Sequence, residues 1–423
     1  MEVTVRPSSL KGIIRIPGSK SHTIRGLLLA TIAPGRSVLS SPLYSSDTES
    51  CIECCRLLGA SITAEPERII VDGTGGDLAT PENVLDVGNS GTTLYLSMGL
   101  AALSGSWSVF TGDEQIRTRS AANLLSSLRD LGVEAVSTRQ NGCTPLLIRG
   151  PLKGGSTEIA CPTSQYLSGL LLATPFARGD SEIRVELLNE KPYVEITLSW
   201  LDALGIAYRN DKFRRLFISG NQSIAPFERM IPADFSSATF FLCAAAITRS
   251  EITLMGLDMR DSQGDKAVVE ILREMGCSAV VHESGITIRG DLLRGREFDL
   301  NSIPDALPAL SVVACFAEGE TRLVNVPQAR LKETDRITVM TEELGKLGAD
   351  IRELPEGLVI NGNPDGNLVG AKVNGRSDHR VVMALAVAGL AAKGQTSIAT
   401  AESAKVTFPE FFELLDSLRV PTA

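Results

Sequence analysis

Five times along the chain, a helix-like run closes on Leu or Met, then Gly, then a small or β-branched residue that leads into a strand. The instances are Leu58-Gly59-Ala60, Leu131-Gly132-Val133, Leu204-Gly205-Ile206, Met275-Gly276-Cys277 and Leu347-Gly348-Ala349. The interval is about seventy residues each time. A period of that size constrains the fold strongly, because each repeat must be a supersecondary unit that covers its apolar face with its neighbours. Glycine suits the position, since the backbone just past a helix end turns left-handed, where a Cβ is strained. A second pattern, a polar cluster before a Leu- and Ala-rich helix, recurs at Gly18-Ser19-Lys20-Ser21, Asn89-Ser90-Gly91-Thr92, Pro162-Thr163-Ser164-Gln165, Asp234-Phe235-Ser236-Ser237, Pro304-Asp305-Ala306 and Ser377-Asp378-His379-Arg380. Six units of this length account for nearly all of the 423 residues.

Each unit reads strand, helix, strand, helix, strand, strand. The Leu/Ala helix is apolar on most faces and is expected to be buried. The sixth unit ends at Leu418-Arg419-Val420, short of its last two strands. The β-branched runs at residues 2–5 and 12–16 are expected to supply them. This predicts an α/β chain of two domains with three repeats each: residues 1–16 plus 232–423, and residues 17–231. A cleft with a two-strand hinge near Pro17 and Pro232 follows. Three units around an approximate three-fold axis bring three buried helix N-termini out on one side. Two such halves facing each other aim several helix dipoles into the cleft, which favours anionic ligands.

Composition narrows the function. With 43% hydrophobic residues the chain can bury more than one core. Its eight cysteines form no paired Cys-x-x-Cys arrangement, and Cys51, Cys54 and Cys55 fall with Leu58 on one helical face, so they read as core packing in a reducing compartment. A formal charge of −9 argues against general nucleic-acid binding. The start lacks a secretory pattern, and the apolar run near residues 381–392 is too short to span a bilayer, so a cytoplasmic location without membrane attachment is expected.

Cations gather where helices disfavour them. Lys20, Arg25, Lys332, Arg336, His379 and Arg380 all stand within about two turns of an expected helix start. For Lys332-Glu333-Thr334-Asp335-Arg336 alone, a solvated turn with internal ion pairs would suffice. Recurrence in three of the six units weighs against that. Asp305 is as well placed for an N-cap as for a general base. Ser21, Thr163, Ser164 and Ser236 are placed as caps by default. Gly91 serves either close packing or close approach of an anion to the backbone. His379 is one of three histidines, and a lone histidine is more often structural than catalytic.

The ordered set Pro17-Gly18-Ser19-Lys20-Ser21 with Arg25, Asn89-Ser90-Gly91-Thr92, Arg119, Thr163-Ser164-Gln165, Lys191-Pro192-Tyr193, Ile303-Pro304-Asp305, Lys332-Glu333-Thr334-Asp335-Arg336 and Asp378-His379-Arg380 resembles the 5-enolpyruvylshikimate-3-phosphate synthase family over essentially the whole chain. The resemblance implies a two-domain inside-out α/β barrel that closes at a hinge. It implies transfer of the enolpyruvyl group of phosphoenolpyruvate to the 5-hydroxyl of shikimate 3-phosphate, with release of phosphate, by a monomer using no metal and no organic cofactor. Phosphoenolpyruvate would be held by Lys20, Gly91, Arg119, Gln165, Arg336 and Arg380, its carboxylate suiting guanidinium forks. Shikimate 3-phosphate would be held by Lys20, Ser21, Arg25, Thr163, Ser164, Gln165, Asp305 and Lys332, with Tyr193 lining the pocket. Asp305 would be the base and Glu333 the acid, Lys20 assisting; His379 is a further candidate for the proton donor. The inhibitor glyphosate would compete with phosphoenolpyruvate beside Gly91.

Three positions depart from the family pattern. Glu190 stands where the family has a phosphate-binding serine, and Tyr95 where it has an arginine. Val406 holds the place of a late lysine, with Lys405 its neighbour. A UDP-N-acetylglucosamine enolpyruvyl transferase would carry a reactive cysteine within residues 112–119, and none is there. A non-catalytic anion-binding module would not need Asp305, Glu333, Lys332 and Arg336 together.

Overall fold

The computed structural model describes residues 1–366 and 368–420. The chain is α/β and divides into two compact units, Met1–Pro17 with Pro232–Ala423, and Gly18–Ile231. Each unit has its own continuous apolar core. No helix among the described residues is long and apolar enough to cross a membrane.

Helices whose Leu- and Ala-rich body leaves no polar side for solvent must be enclosed. In Gly18–Ile231 these are Lys20–Ile32, Gly91–Ala101 and Gln165–Ala173. In the other unit they are Phe235–Ile247, Leu307–Cys315 and His379–Gly389. Gly91–Ala101 and Phe235–Ile247 are buried at every residue. Amphipathic helices such as Ala267–Met275 and Arg336–Lys346 bury one face only. Gly59, Gly132, Gly205, Gly276 and Gly348, which follow such helices, all take positive φ, the left-handed conformation that a Cβ would strain.

Among the described residues the strands form five four-stranded sheets and one of three strands. In one, Leu85–Asp86 runs parallel to Ser108–Thr111, which is antiparallel to Leu146–Arg149, itself antiparallel to Glu134–Ser137. The other four-stranded sheets repeat this sequence of directions.

The N-terminal strands divide differently from the expectation. Glu2–Val5 lies antiparallel to Thr396–Ala399, beside Lys372–Asn374, in the three-stranded sheet. Lys11–Arg15 does not follow it there but runs parallel to Glu251–Met255. Its counterpart before Phe235–Ile247, Glu228–Met230, runs parallel to Pro34–Ser40 in the contiguous unit. Each strand takes an edge whose partner is remote in sequence, and alternation within the strand cannot name that edge.

All eight cysteines are free and buried, as core packing requires. Cys51, Cys54 and Cys55 line the inner face of Ser46–Leu57.

Candidate active site

The chemistry-bearing residues fall into two sets, one in each unit. In Gly18–Ile231, Lys20 is the first residue of its helix, where the dipole opposes a cation. The opposition is met by Asp47, whose Oδ2 lies 2.8 Å from Lys20 Nζ, with the two side chains 4% and 15% exposed respectively. One turn on, Arg25 is fully enclosed. It donates to Thr197 Oγ1 at 2.8 Å, to the carbonyls of Ser21 and Tyr193 at 2.9 Å each, and to Ser168 Oγ at 3.3 Å. These acceptors are all neutral, and burial lowers the Arg25 pKa to about 10, with Tyr193 opposing the shift. A buried cation among neutral oxygens gains from an anion close by.

Gly91 opens its helix beside Arg119 and Gln165. A Cβ on Gly91 would stand 2.8 Å from Arg119 Nη1 and 3.5 Å from Gln165 Oε1. Gln165 is fixed by donating to Thr92 Oγ1 at 2.8 Å. Tyr95 turns its hydroxyl to the Ser120 carbonyl at 3.1 Å and sets its ring edge-on to Tyr166, so an aromatic wall stands there. Ser164 is the N-cap residue of Gln165–Ala173, yet its hydroxyl makes no cap bond. It donates to Glu190 Oε2 at 2.9 Å, and the Ser164 N–H and Thr163 Oγ1 donate to that oxygen at 3.2 Å each.

In the other unit, Arg336 gathers three carboxylates. It is 1% exposed and donates through Nε to Asp378 Oδ2 at 2.9 Å, through Nη1 to Asp305 Oδ1 at 2.8 Å, and through Nη2 to Glu333. Asp305 also faces Arg380 Nη2 at 3.0 Å and Lys332 Nζ at 3.7 Å. Three cations and three carboxylates thus interleave. Burial pushes the Asp305 pKa up, but Arg380, Lys332 and Arg336 outweigh it and hold the carboxyl well below its ordinary value, Glu333 opposing them weakly. Burial likewise works against the Arg336 charge, and Asp378, Glu333 and Asp305 more than restore it. Ala306, not Asp305, stands at the N-cap of Leu307–Cys315. Asp378 is the N-cap of His379–Gly389, accepting from the N–H groups of Arg380 and Val381. Glu333, Asp378 and His379 offer ligand atoms within 4.8 Å of one another. The Arg336 guanidinium already supplies the positive charge between Glu333 and Asp378.

The sequence reading placed cations at helix starts without naming their partners. Asp47 was missed because an acid in a first helical turn is ordinary dipole matching. Asp378 lies in the Asp378-His379-Arg380 motif, where its N-cap position masks its contact with Arg336. Lys332 and Glu333 precede the helix rather than opening it, for Asp335 is its cap. The run does hold an internal ion pair, Glu333 with Arg336, but buried rather than solvated. Lys405 is exposed in the 3-10 turn Ala401–Val406.

Residues 5–415 match the family model for EPSP synthase (3-phosphoshikimate 1-carboxyvinyltransferase). The chain belongs to the EPSP synthase family. A 3-phosphoshikimate 1-carboxyvinyltransferase of Acetivibrio thermocellus is 53% identical over 415 residues, covering 98% of this chain and 97% of the relative. One from Methanococcus vannielii is 38% identical over 426 residues, 99% of this chain and 98% of that one. The EPSP synthase structure from Acinetobacter baumannii superposes with a TM-score of 0.85 at 28% identity, covering 99% of this chain and 98% of the other. Membership in the EPSP synthase family makes the chain a transferase of the shikimate pathway.

Proposed function

We propose that Asp305 is the general base in the reaction of this enzyme, transfer of the enolpyruvyl group of phosphoenolpyruvate to the 5-hydroxyl of shikimate 3-phosphate. One observation carries the assignment: a buried carboxylate held ionised by Lys332, Arg336 and Arg380. A base must be deprotonated before the acceptor arrives, and these charges ensure it. Two anionic substrates then offset the same cations, which raises the proton affinity of Asp305 toward what abstraction needs. The 5-hydroxyl proton passes to Asp305 while its oxygen bonds to C2 of phosphoenolpyruvate. Glu333 delivers a proton to the methylene carbon, Lys20 assisting; the tetrahedral intermediate then expels phosphate while its new methyl group returns a proton to Glu333 and the C2–C3 double bond re-forms.

Lys20, Gly91, Arg119, Gln165 and Arg380 take phosphoenolpyruvate, and Arg336 adds its charge. Its own N–H groups are engaged by carboxylates, so it orders Asp305 and Glu333 as well. Lys20, Ser21, Arg25, Thr163, Ser164, Gln165, Asp305 and Lys332 take shikimate 3-phosphate, with Arg25 supplying the buried cation for its carboxylate. The repeated sheet order supports three repeats per unit in the inside-out barrel arrangement, and a cytoplasmic monomer without metal or organic cofactor completes the reading.

The test is phosphate release from phosphoenolpyruvate with each acceptor. Release with shikimate 3-phosphate, and none with UDP-N-acetylglucosamine or without acceptor, is expected. Release with the nucleotide sugar instead would overturn the reading.

A further inference from the structure

Glu190 sits at a place where its backbone is strained. It precedes Lys191–Ala203 in a left-handed conformation, φ 57° and ψ 39°, and makes no cap bond there. Such a conformation is uncommon outside glycine, asparagine and aspartate. The residue is 2% exposed, and its side chain reaches across to the start of a different helix. One of its oxygens accepts from Thr163 Oγ1 at 3.2 Å, the Ser164 N–H at 3.2 Å and Ser164 Oγ at 2.9 Å. Three donors converging on one oxygen at the N-terminus of Gln165–Ala173 are what a phosphate oxygen would receive. The protein's own anion already occupies that seat.

We propose that Glu190 is a displaceable internal substitute for the 3-phosphate, and that it sets which anions the acceptor site admits. This rests on the assignment of Thr163 and Ser164 to the phosphate of shikimate 3-phosphate. Two anions cannot share one set of donors at contact distance, so an incoming phosphate must turn the carboxylate away. Inorganic phosphate brings to this seat only its own oxygens with which to do so. Shikimate 3-phosphate adds the contacts of its ring and carboxylate. Glu190 therefore weakens both ligands by the same displacement cost, which the free anion cannot offset and shikimate 3-phosphate can.

Calorimetric titration of the full chain with shikimate 3-phosphate, shikimate and inorganic phosphate tests this. Glu190→Gln and Glu190→Ser are expected to lower the Kd of shikimate 3-phosphate about tenfold, a change of about 1.4 kcal/mol, and to make inorganic phosphate binding measurable. The Kd of shikimate, which lacks the phosphate, should stay within about twofold. Unchanged or weaker binding of shikimate 3-phosphate in both variants overturns the proposal. Ser164→Ala separates the two assumptions. If it leaves shikimate 3-phosphate binding intact, the phosphate assignment fails. If it weakens binding while Glu190→Gln does not tighten it, the role of Glu190 alone fails. Should the Glu190 variants not fold, the crystal structure of the unaltered chain with shikimate 3-phosphate decides: a carboxylate turned off Ser164 supports displacement, and one still bonded to it refutes displacement.

Discussion

Gly91 and Asp305 show how single atoms divide stability from catalysis. A Cβ on Gly91 meets the tip of a flexible arginine at 2.8 Å rather than backbone, so Gly91→Ala should move Arg119 and leave the fold intact. The expected outcome is a KM for phosphoenolpyruvate raised about tenfold, with the unfolding free energy within about 0.5 kcal/mol of the parent. Steady-state kinetics and urea unfolding check both halves. Asp305→Asn removes the charge while keeping the shape, and turnover should fall by about two to four orders of magnitude with both substrates still bound. Because the folded-state pKa of Asp305 is depressed, its stabilisation is fully present above the ordinary value of about 3.9 and is lost as pH falls through the lower folded value. The stability gap between parent and Asp305→Asn should thus be flat above about pH 5 and close in more acid solution. Unfolding curves measured across that range would show a constant gap if the carboxylate did not titrate this way.

At the scale of elements, the turn before His379–Gly389 depends on a buried acid outside the chemistry. Arg376 and Ser377 are consecutive non-glycine residues at positive φ. Glu343, enclosed on Arg336–Lys346, accepts from the Asn374 N–H at 2.9 Å, from Arg376 Nε at 3.3 Å and from Lys346 Nζ at 2.7 Å. It ties the helix of Arg336 to the turn that delivers Asp378 and Arg380. Glu343→Ala should cost about 2 kcal/mol in urea unfolding and reduce turnover, because a buried N–H loses its acceptor and the strained turn loses its brace. Glu342→Ala, which removes a half-exposed partner of Arg376, should cost under about 1 kcal/mol. The same elements show what a sequence discloses. Glycines that end helices and polar residues that begin them are set by the chain's own near neighbours, so Gly59, Gly348, Asp234 and Asp378 were visible as helix boundaries. The cations at helix starts were visible as an anomaly. The direction of the Glu190 side chain, the pairing of Lys20 with Asp47 and the hold of Arg336 on Asp305 and Asp378 arise from elements brought together from afar. No local pattern encodes them.

For the molecule as a whole, two separate cores predict unequal halves when the chain is cut. Residues 18–231 contain both partners of each of their strand pairs and should fold alone with a cooperative urea transition. Residues 232–423 lack Glu2–Val5 and Lys11–Arg15, which leaves Thr396–Ala399 and Glu251–Met255 each with one edge unpaired. That fragment should aggregate or unfold in less denaturant, and adding a peptide of residues 1–17 should recover part of the loss, as circular dichroism would register. The strand exchange also orders events during synthesis. Lys11–Arg15 leaves the ribosome some 240 residues ahead of Glu251–Met255, which at ordinary elongation rates is a delay of about ten to fifty seconds. Through that interval the nascent leader must be kept from mispairing, while the middle of the polypeptide matures first and the two ends meet last.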